Sequence, residues 1–323
     1  MLNFCMLKPA LKFLLAFALC YWLFTNGKLD FTLITKSFSL GTLWIWGLLA
    51  LLSRLFISSQ RFKILLDTKV QSKIPFIKVL TFDAVGSFFS VILPGAAAGD
   101  LVRFFYYKNL STDLKPASIA ALLILDRLIG VLALMALAIG VCLFQFDSIR
   151  ELNPQLITLV FFNGIFFVVL SIFIILFFSH IISQEKLIKP FLKWPEFAKT
   201  FNDLLSTKLK FIPFLFCFLL SLLNQIMTIV GFWALASPFL PETMSFLNLF
   251  TILPIGMIGA ALPVSPAGLG VGHVLFDNLF KMMRINNGAS LFNLFFIANV
   301  FVSLIGVFPY LLVKRDLITS RGK

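Results

Sequence analysis

Charge is scarce in this chain. Only 13% of its 323 residues are Asp, Glu, Lys or Arg, where soluble globular domains carry nearer a quarter. With 60% hydrophobic residues, 41 phenylalanines and a mean hydropathy of +1.00, too little polar surface remains to cover a water-soluble fold. That excludes a soluble single-domain enzyme. Histidine is nearly missing: His180 and His273 are the two, and neither stands at metal-ligand spacing from a cysteine. Cys5, Cys20, Cys142 and Cys217 form no CxxC and lie in or near apolar stretches, so neither a disulfide framework nor a metal site is indicated. Walker A, GxSxG, HExxH and DxD motifs are absent, as is a paired-carboxylate constellation. The largest polar segment, Ser183–Lys210, is too short for a catalytic domain. The expectation is a protein that is not an enzyme and needs no cofactor or metal.

What charge there is has one sign in excess, 27 Lys+Arg against 14 Asp+Glu, for a net +13. The basic residues sit in polar segments between apolar runs. In a polytopic protein that is the ordinary cytoplasmic bias, aided by anionic headgroups, and not a sign of nucleic acid.

Helical spans are expected at Leu11–Phe24, Thr42–Ile57, Ser118–Phe146, Leu156–Ile182, Phe211–Ala236 and Ala289–Val313. Most are long enough for about 30 Å of hydrocarbon at about 1.5 Å per residue, the first two with flanking residues included. The first is read as an uncleaved helix, because no small-x-small site follows it. Two shorter apolar segments differ. Val79–Leu93 runs into Pro94-Gly95-Ala96-Ala97-Ala98-Gly99-Asp100, and Phe246–Leu262 into Pro263-Val264-Ser265-Pro266-Ala267-Gly268-Leu269-Gly270. Such stretches cannot continue as ordinary helices. Irregular backbone at membrane depth survives only inside protein or beside water, so each reads as a re-entrant hairpin.

With both termini cytoplasmic, 21 basic residues fall inside and five outside, leaving Arg127 within a span. Element order then reads span, span, hairpin, span, twice over. The Leu-Pro pairs of the two hairpins lie 169 residues apart. The expected fold is therefore an all-α polytopic membrane protein. About six full spans and two hairpins form one integral membrane domain, its halves 1–150 and 151–323 an inverted repeat. Inverted repeats with discontinuous helices at matching positions mark a transporter's midplane site.

Asp83, Asp100, Arg103, Asp126, Arg127, His273 and Asp277 are ionisable groups in or beside apolar segments, so each should face a partner or a wet cavity. Asp83, Ser87 and Ser90 form one polar stripe at i, i+4 and i+7. Asp126 and Arg127 lie about 100° apart on a helix and do not pair with each other. The opposite charges of the hairpin are their natural partners, Arg103 for Asp126 and Asp83 or Asp100 for Arg127. If Gly99-Asp100 opens a short helix, its free N–H groups with Arg103 beside them suit a phosphate. The stretch Gly268–Gly272 would make the opposed helix start. His273, Asp277 and Lys281 share one face, too few ligands for a metal. Ser221, Asn224, Gln225 and Thr228 form an interhelical polar strip, and Tyr106 and Tyr107 look like interface anchors.

Leu93-Pro94-Gly95, Gly99-Asp100, Arg103, Asp126-Arg127 and Leu262-Pro263 with Gly268-Leu269-Gly270-Val271 resemble the signature of the lysylphosphatidylglycerol synthase transmembrane-region family. The resemblance covers essentially the whole chain and implies a lipid-translocating fold with paired re-entrant helices. It implies no aminoacyl transfer, because the family's soluble transferase domain is missing here. The family's second motif commonly continues with Arg-Glu after Gly-Val, where this chain has Gly272-His273, so the resemblance carries over neither a charge-recognition role there nor lysyl-phosphatidylglycerol as the substrate.

The expected function is that of a bacterial inner-membrane, flippase-like protein moving a phospho- or polyprenyl-type lipid. Its substrate-binding candidates are Arg103, Asp100, Gly95, Gly99, Asp83, Asp126, Arg127, Gly268, Gly270, Gly272, His273 and Asp277. A non-catalytic subunit scaffolding a lipid- or glycan-synthesis enzyme, and an ion-coupled small-solute transporter, stay open as alternatives.

Overall fold

Helices long and apolar enough to cross a bilayer recur five times in a computed structural model of the chain. The structure describes residues 21, 25, 31–39, 41–70, 73–92, 98–110, 115–178, 211–242, 244–260 and 270–312. Among the described residues there is no strand. The helices are α1 (Phe31–Ser39), α2 (Gly41–Asp67), α3 (Phe76–Ile92), α4 (Ala98–Leu110), α5 (Pro116–Phe144), α6 (Phe146–Leu152), α7 (Pro154–Phe178), α8 (Phe211–Ala236), α9 (Leu249–Ala260), α10 (Val271–Met282) and α11 (Gly288–Leu304). The protein is an all-α, multi-pass membrane protein. The expected span Leu11–Phe24 lies almost wholly outside the described residues.

Two long helices form the spine. Contacts between α2 and α8 step in opposite directions, Gly47 against Leu235, Leu51 against Gly231, and Arg61 against Ser221, so the helices are antiparallel. The glycines are what bring them close. A Cβ on Gly47 would stand 2.8 Å from Leu235 Cγ, and one on Gly231 would stand 2.9 Å from Leu51 Cγ. Lipid tails are as apolar as leucine, so membrane helices associate through such close packing of small residues.

Each hairpin segment is a pair of short helices. At about 1.5 Å per residue α3 and α4 reach only about 25 and 20 Å, and α9 and α10 about 18 Å, less than a bilayer's hydrocarbon. Asp83 meets Tyr107 while Gly86 meets Arg103 and Gly99, the stepping of an antiparallel hairpin. In the second pair, Gly256 takes the Phe276 ring in the notch left by its missing side chain. The turn residues that carry Pro94, Gly95, Pro263 and Gly268 lie outside the described residues.

The apolar core is correspondingly double. One cluster gathers α9, α10 and α11 with Trp44 and Leu51 of α2 and Ile229, Phe232 and Leu235 of α8. The other gathers α3, α4 and α5 around Phe62, Leu65 and Leu66 of α2 and Cys217 of α8. Each half of α2 and α8 thus belongs to a different core. Outward faces are apolar too: Phe161, Phe162, Phe166, Phe211 and Phe308 are exposed, as lipid contact requires.

The helix α2 corrects one expectation. Its hydrophobic run ends near Ile57, but the helix continues to Asp67, which carries Arg61 from the expected connecting segment into the bundle and puts Arg54 at mid-helix and not at the end of a span. Arg103 is likewise within the first hairpin. Removing these three leaves 18 basic residues on the side assigned as cytoplasmic, against five, so the bias survives.

Candidate functional site

The first hairpin and its neighbours bring six charged side chains into one linked network. On the α2 side, Arg61 Nε is 2.7 Å from Asp126 Oδ1 of α5, and Arg61 Nη1 donates to Ser221 Oγ of α8 at 2.8 Å. Across the hairpin, Arg103 Nε lies 2.8 Å from Asp83 Oδ1 of α3. Arg103 Nη1 lies 3.2 Å from Asp100 Oδ1 and 3.7 Å from Asp126 Oδ2. Arg127 of α5 pairs with Asp100 of α4. Three cations meet three anions, so the network is neutral.

Its interior members are deeply placed. Asp83 and Asp126 are each 4% exposed and Arg61 is 7%. A buried charge of this kind persists only with partners that satisfy it. Tyr107 helps: its hydroxyl donates to Asp83 Oδ1 at 3.2 Å and its side chain is fully buried. It is a core residue, not the interface anchor expected, because α4 turns it inward onto α3 and Phe62. The Arg103 guanidinium lies 4.3 Å over the Phe62 ring, an added cation–π contact.

A polar cavity of about 290 Å³ opens on this network. Its walls are Ser58 of α2, Asp83, Gly86, Ser87 and Ser90 of α3, Gly99, Asp100 and Arg103 of α4, and Arg127 of α5. The expected stripe of Asp83, Ser87 and Ser90 thus lines it along one face. Gly86 and Gly99 let the two arms touch, since a Cβ on Gly86 would fall 2.6 Å from Arg103 Cγ. Asp126 and Arg127 diverge as their helical separation requires. Asp126 turns inward, while the Arg127 side chain stays 46% exposed.

The partners differ from expectation in one respect. Arg61, not Arg103, is the nearest cation to Asp126, because α2 runs a further ten residues past Ile57 and carries Arg61 into the bundle. The sequence did hold the signal: Arg54, Ser58 and Arg61 fall at i, i+4 and i+7 of one helix. The start of α4 is also occupied differently. Asp100 stands in its first turn, so the chain's own carboxylate already meets the helix-end potential expected to hold a phosphate.

None of the described residues of the second hairpin lines this cavity. His273 Nδ1 accepts from the Gly270 N–H at 3.3 Å and Nε2 lies 3.3 Å from Asn293 Oδ1, which ties the start of α10 to α11. Gly270 has φ 77°, a left-handed backbone that favours glycine. Gly272 is where the Phe292 ring packs. Asp277 is 1% exposed and pairs with Lys281 Nζ at 3.0 Å. A separate groove of about 600 Å³ between α5 and α7 is lined by apolar residues such as Leu143, Phe161 and Val168. Among the described residues no group of three or more His, Cys, Asp or Glu is placed to hold a metal.

A multi-pass helical membrane protein built around a charge-balanced polar cavity is the class these features define. Residues 10–310 match the family model described as the lysylphosphatidylglycerol synthase TM region, and the chain belongs to that family. No curated protein matches it.

Proposed function

We propose that the protein moves an amphiphilic lipid between leaflets, its headgroup crossing the polar cavity while the acyl tails remain in the bilayer. The observation that carries this reading is a charged cavity of about 290 Å³ inside an otherwise apolar bundle. Its size is at the lower end of ligand pockets, room for a headgroup and not for acyl chains. Ionisable groups at membrane depth are expensive and mark substrate paths.

Within that reading the arginines divide the work. Arg103 touches three carboxylates and holds the hairpin together. Arg127 lines the cavity, is half-exposed, and pairs with Asp100, so it is the donor that a phosphate can win from a carboxylate. The headgroup role first read for Arg103 passes to Arg127. Helix starts also support an inverted repeat, with α9 and α10 beginning 173 residues after α3 and α4. The second hairpin, with Gly270, Gly272, His273 and Asp277, would then serve the opposite leaflet. The basic excess on one side supports a bacterial inner-membrane placement with both termini cytoplasmic. No catalytic role is assigned to the chain.

The test is leaflet exchange of a fluorescent phospholipid in liposomes. Wild-type protein should accelerate exchange and Arg127→Gln should not. Protein-free rates from the wild type would overturn the reading.

A further inference from the structure

Arg54 is the middle residue of α2, thirteen residues from either end. The network described above does not use it. Its Nη1 donates to Asn299 Oδ1 at 3.0 Å, and its Nε is buried with no hydrogen-bond partner. Among the described residues no carboxylate lies within ion-pair distance of it. Asn299 in turn sits beside the midpoint of the last candidate span, Gly288–Leu312, with its amide donating to the Phe295 carbonyl. The middles of two spanning helices therefore meet around a cation that no carboxylate among the described residues balances. Every other arginine within the bundle, Arg61, Arg103 and Arg127, has an aspartate.

An unbalanced guanidinium at mid-helix is costly in a bilayer and is kept where an anion visits it. Its surroundings point to where that anion comes from. Ser58, one helical turn along α2, is on the cavity wall, so Arg54 stands about 6 Å further along the same helix face. The unpartnered Nε is one edge of a planar guanidinium, the fork geometry that matches a phosphate oxyanion.

We propose that Arg54, oriented by Asn299, is a second anion subsite at the membrane midplane, receiving a phosphate group after it leaves the cavity. This rests on the lipid-translocation reading for its order of events but not for its chemistry. The phosphate could belong to a phospholipid or be free in solution, and the experiment separates the two.

Full-length wild type, Arg54→Met and Arg54→Lys are purified in detergent. Retention of added phosphatidylglycerol is read by native mass spectrometry, and thermal melting is followed with and without millimolar inorganic phosphate. The expected result is roughly tenfold weaker phosphatidylglycerol retention by Arg54→Met, the worth of one charge-assisted hydrogen-bond pair. Arg54→Lys should recover part of it. Without lipid or phosphate, Arg54→Met should melt no lower than wild type, since an unbalanced charge has been removed. A shift of the wild-type melt by phosphate that Arg54→Met lacks makes free phosphate the source; retention without such a shift makes it the lipid. Unchanged retention overturns the proposal, and so does weaker retention accompanied by a lower melt, which makes Arg54 a structural tie to Asn299. Retention that tracks Arg54 in a wild type that exchanges no lipid would sink the transport reading and leave this subsite standing.

Discussion

Arg103 reaches Asp83 across the first hairpin at 2.8 Å, and the positions 173 residues further on hold Phe276 and Gly256, ring packed into notch. Tyr107, which bonds Asp83, is matched at the same offset by Phe280, a core residue. One pair of arms is joined by charge and the other by aromatic packing. Among the described residues, the polar cavity accordingly draws on the first hairpin and not on the second.

Charge pairing this deep makes Arg103 costly to remove while Asp83 remains. Arg103→Ala strands Asp83 and should destabilise the protein by about 3–5 kcal/mol. The double variant Asp83→Leu, Arg103→Met should recover most of that loss, as Asp126 keeps Arg61 and Asp100 keeps Arg127. Melting temperatures of the purified single and double variants check both statements.

Arg127 behaves in the opposite way. Its half-exposed pairing with Asp100 contributes at most about 1 kcal/mol, so Arg127→Gln should melt close to wild type. Lipid exchange should fall at least tenfold. A variant that melts normally and exchanges normally removes Arg127 from the headgroup path.

Gly99 sits where the arms of the first hairpin touch, with the Gly86 carbonyl oxygen in the space a side chain would need. Gly99→Val should push the arms apart at a cost of about 1–3 kcal/mol. The sign to look for is faster labelling of a cysteine placed at Ser87 on the cavity wall.

The antiparallel spine offers a purely geometric check. A side chain at Gly231 would begin 2.9 Å from Leu51 Cγ, and one at Gly47 would begin 2.8 Å from Leu235 Cγ. Cysteine pairs at 51 and 231, or at 47 and 235, fall within the roughly 3.5–4.5 Å Cβ separation of a disulfide. Each pair should cross-link under mild oxidation, seen as a mobility shift that reductant reverses. Failure of both would overturn the packing of α2 on α8.

Much of this was legible in the residues. Apolar runs interrupted by Pro-Gly stretches located the hairpins, because proline and glycine end helices for local reasons. Asp83, Ser87 and Ser90 could be placed on one face from spacing alone, and the divergence of Asp126 from Arg127 follows from the helical angle. The partner of Asp126 was not legible. Hydropathy stops α2 at Ile57, yet its buried end carries Arg61, whose charge is neutralised by a residue 65 positions away. Long-range neutralisation leaves no local mark. Nor could spacing tell that Asp100 fills its own helix start, or that His273 ties α10 to Asn293, since both depend on which surfaces meet.

The spine has a mechanical corollary. Because α2 and α8 each insert opposite ends into the two separate cores, a rigid shift of either helix reaches both. A rotation of α2 or α8 that widened the charged cavity would therefore also displace the aromatic cluster around Phe232 and Phe276, carried through the glycine crossing at Gly47 and Gly231.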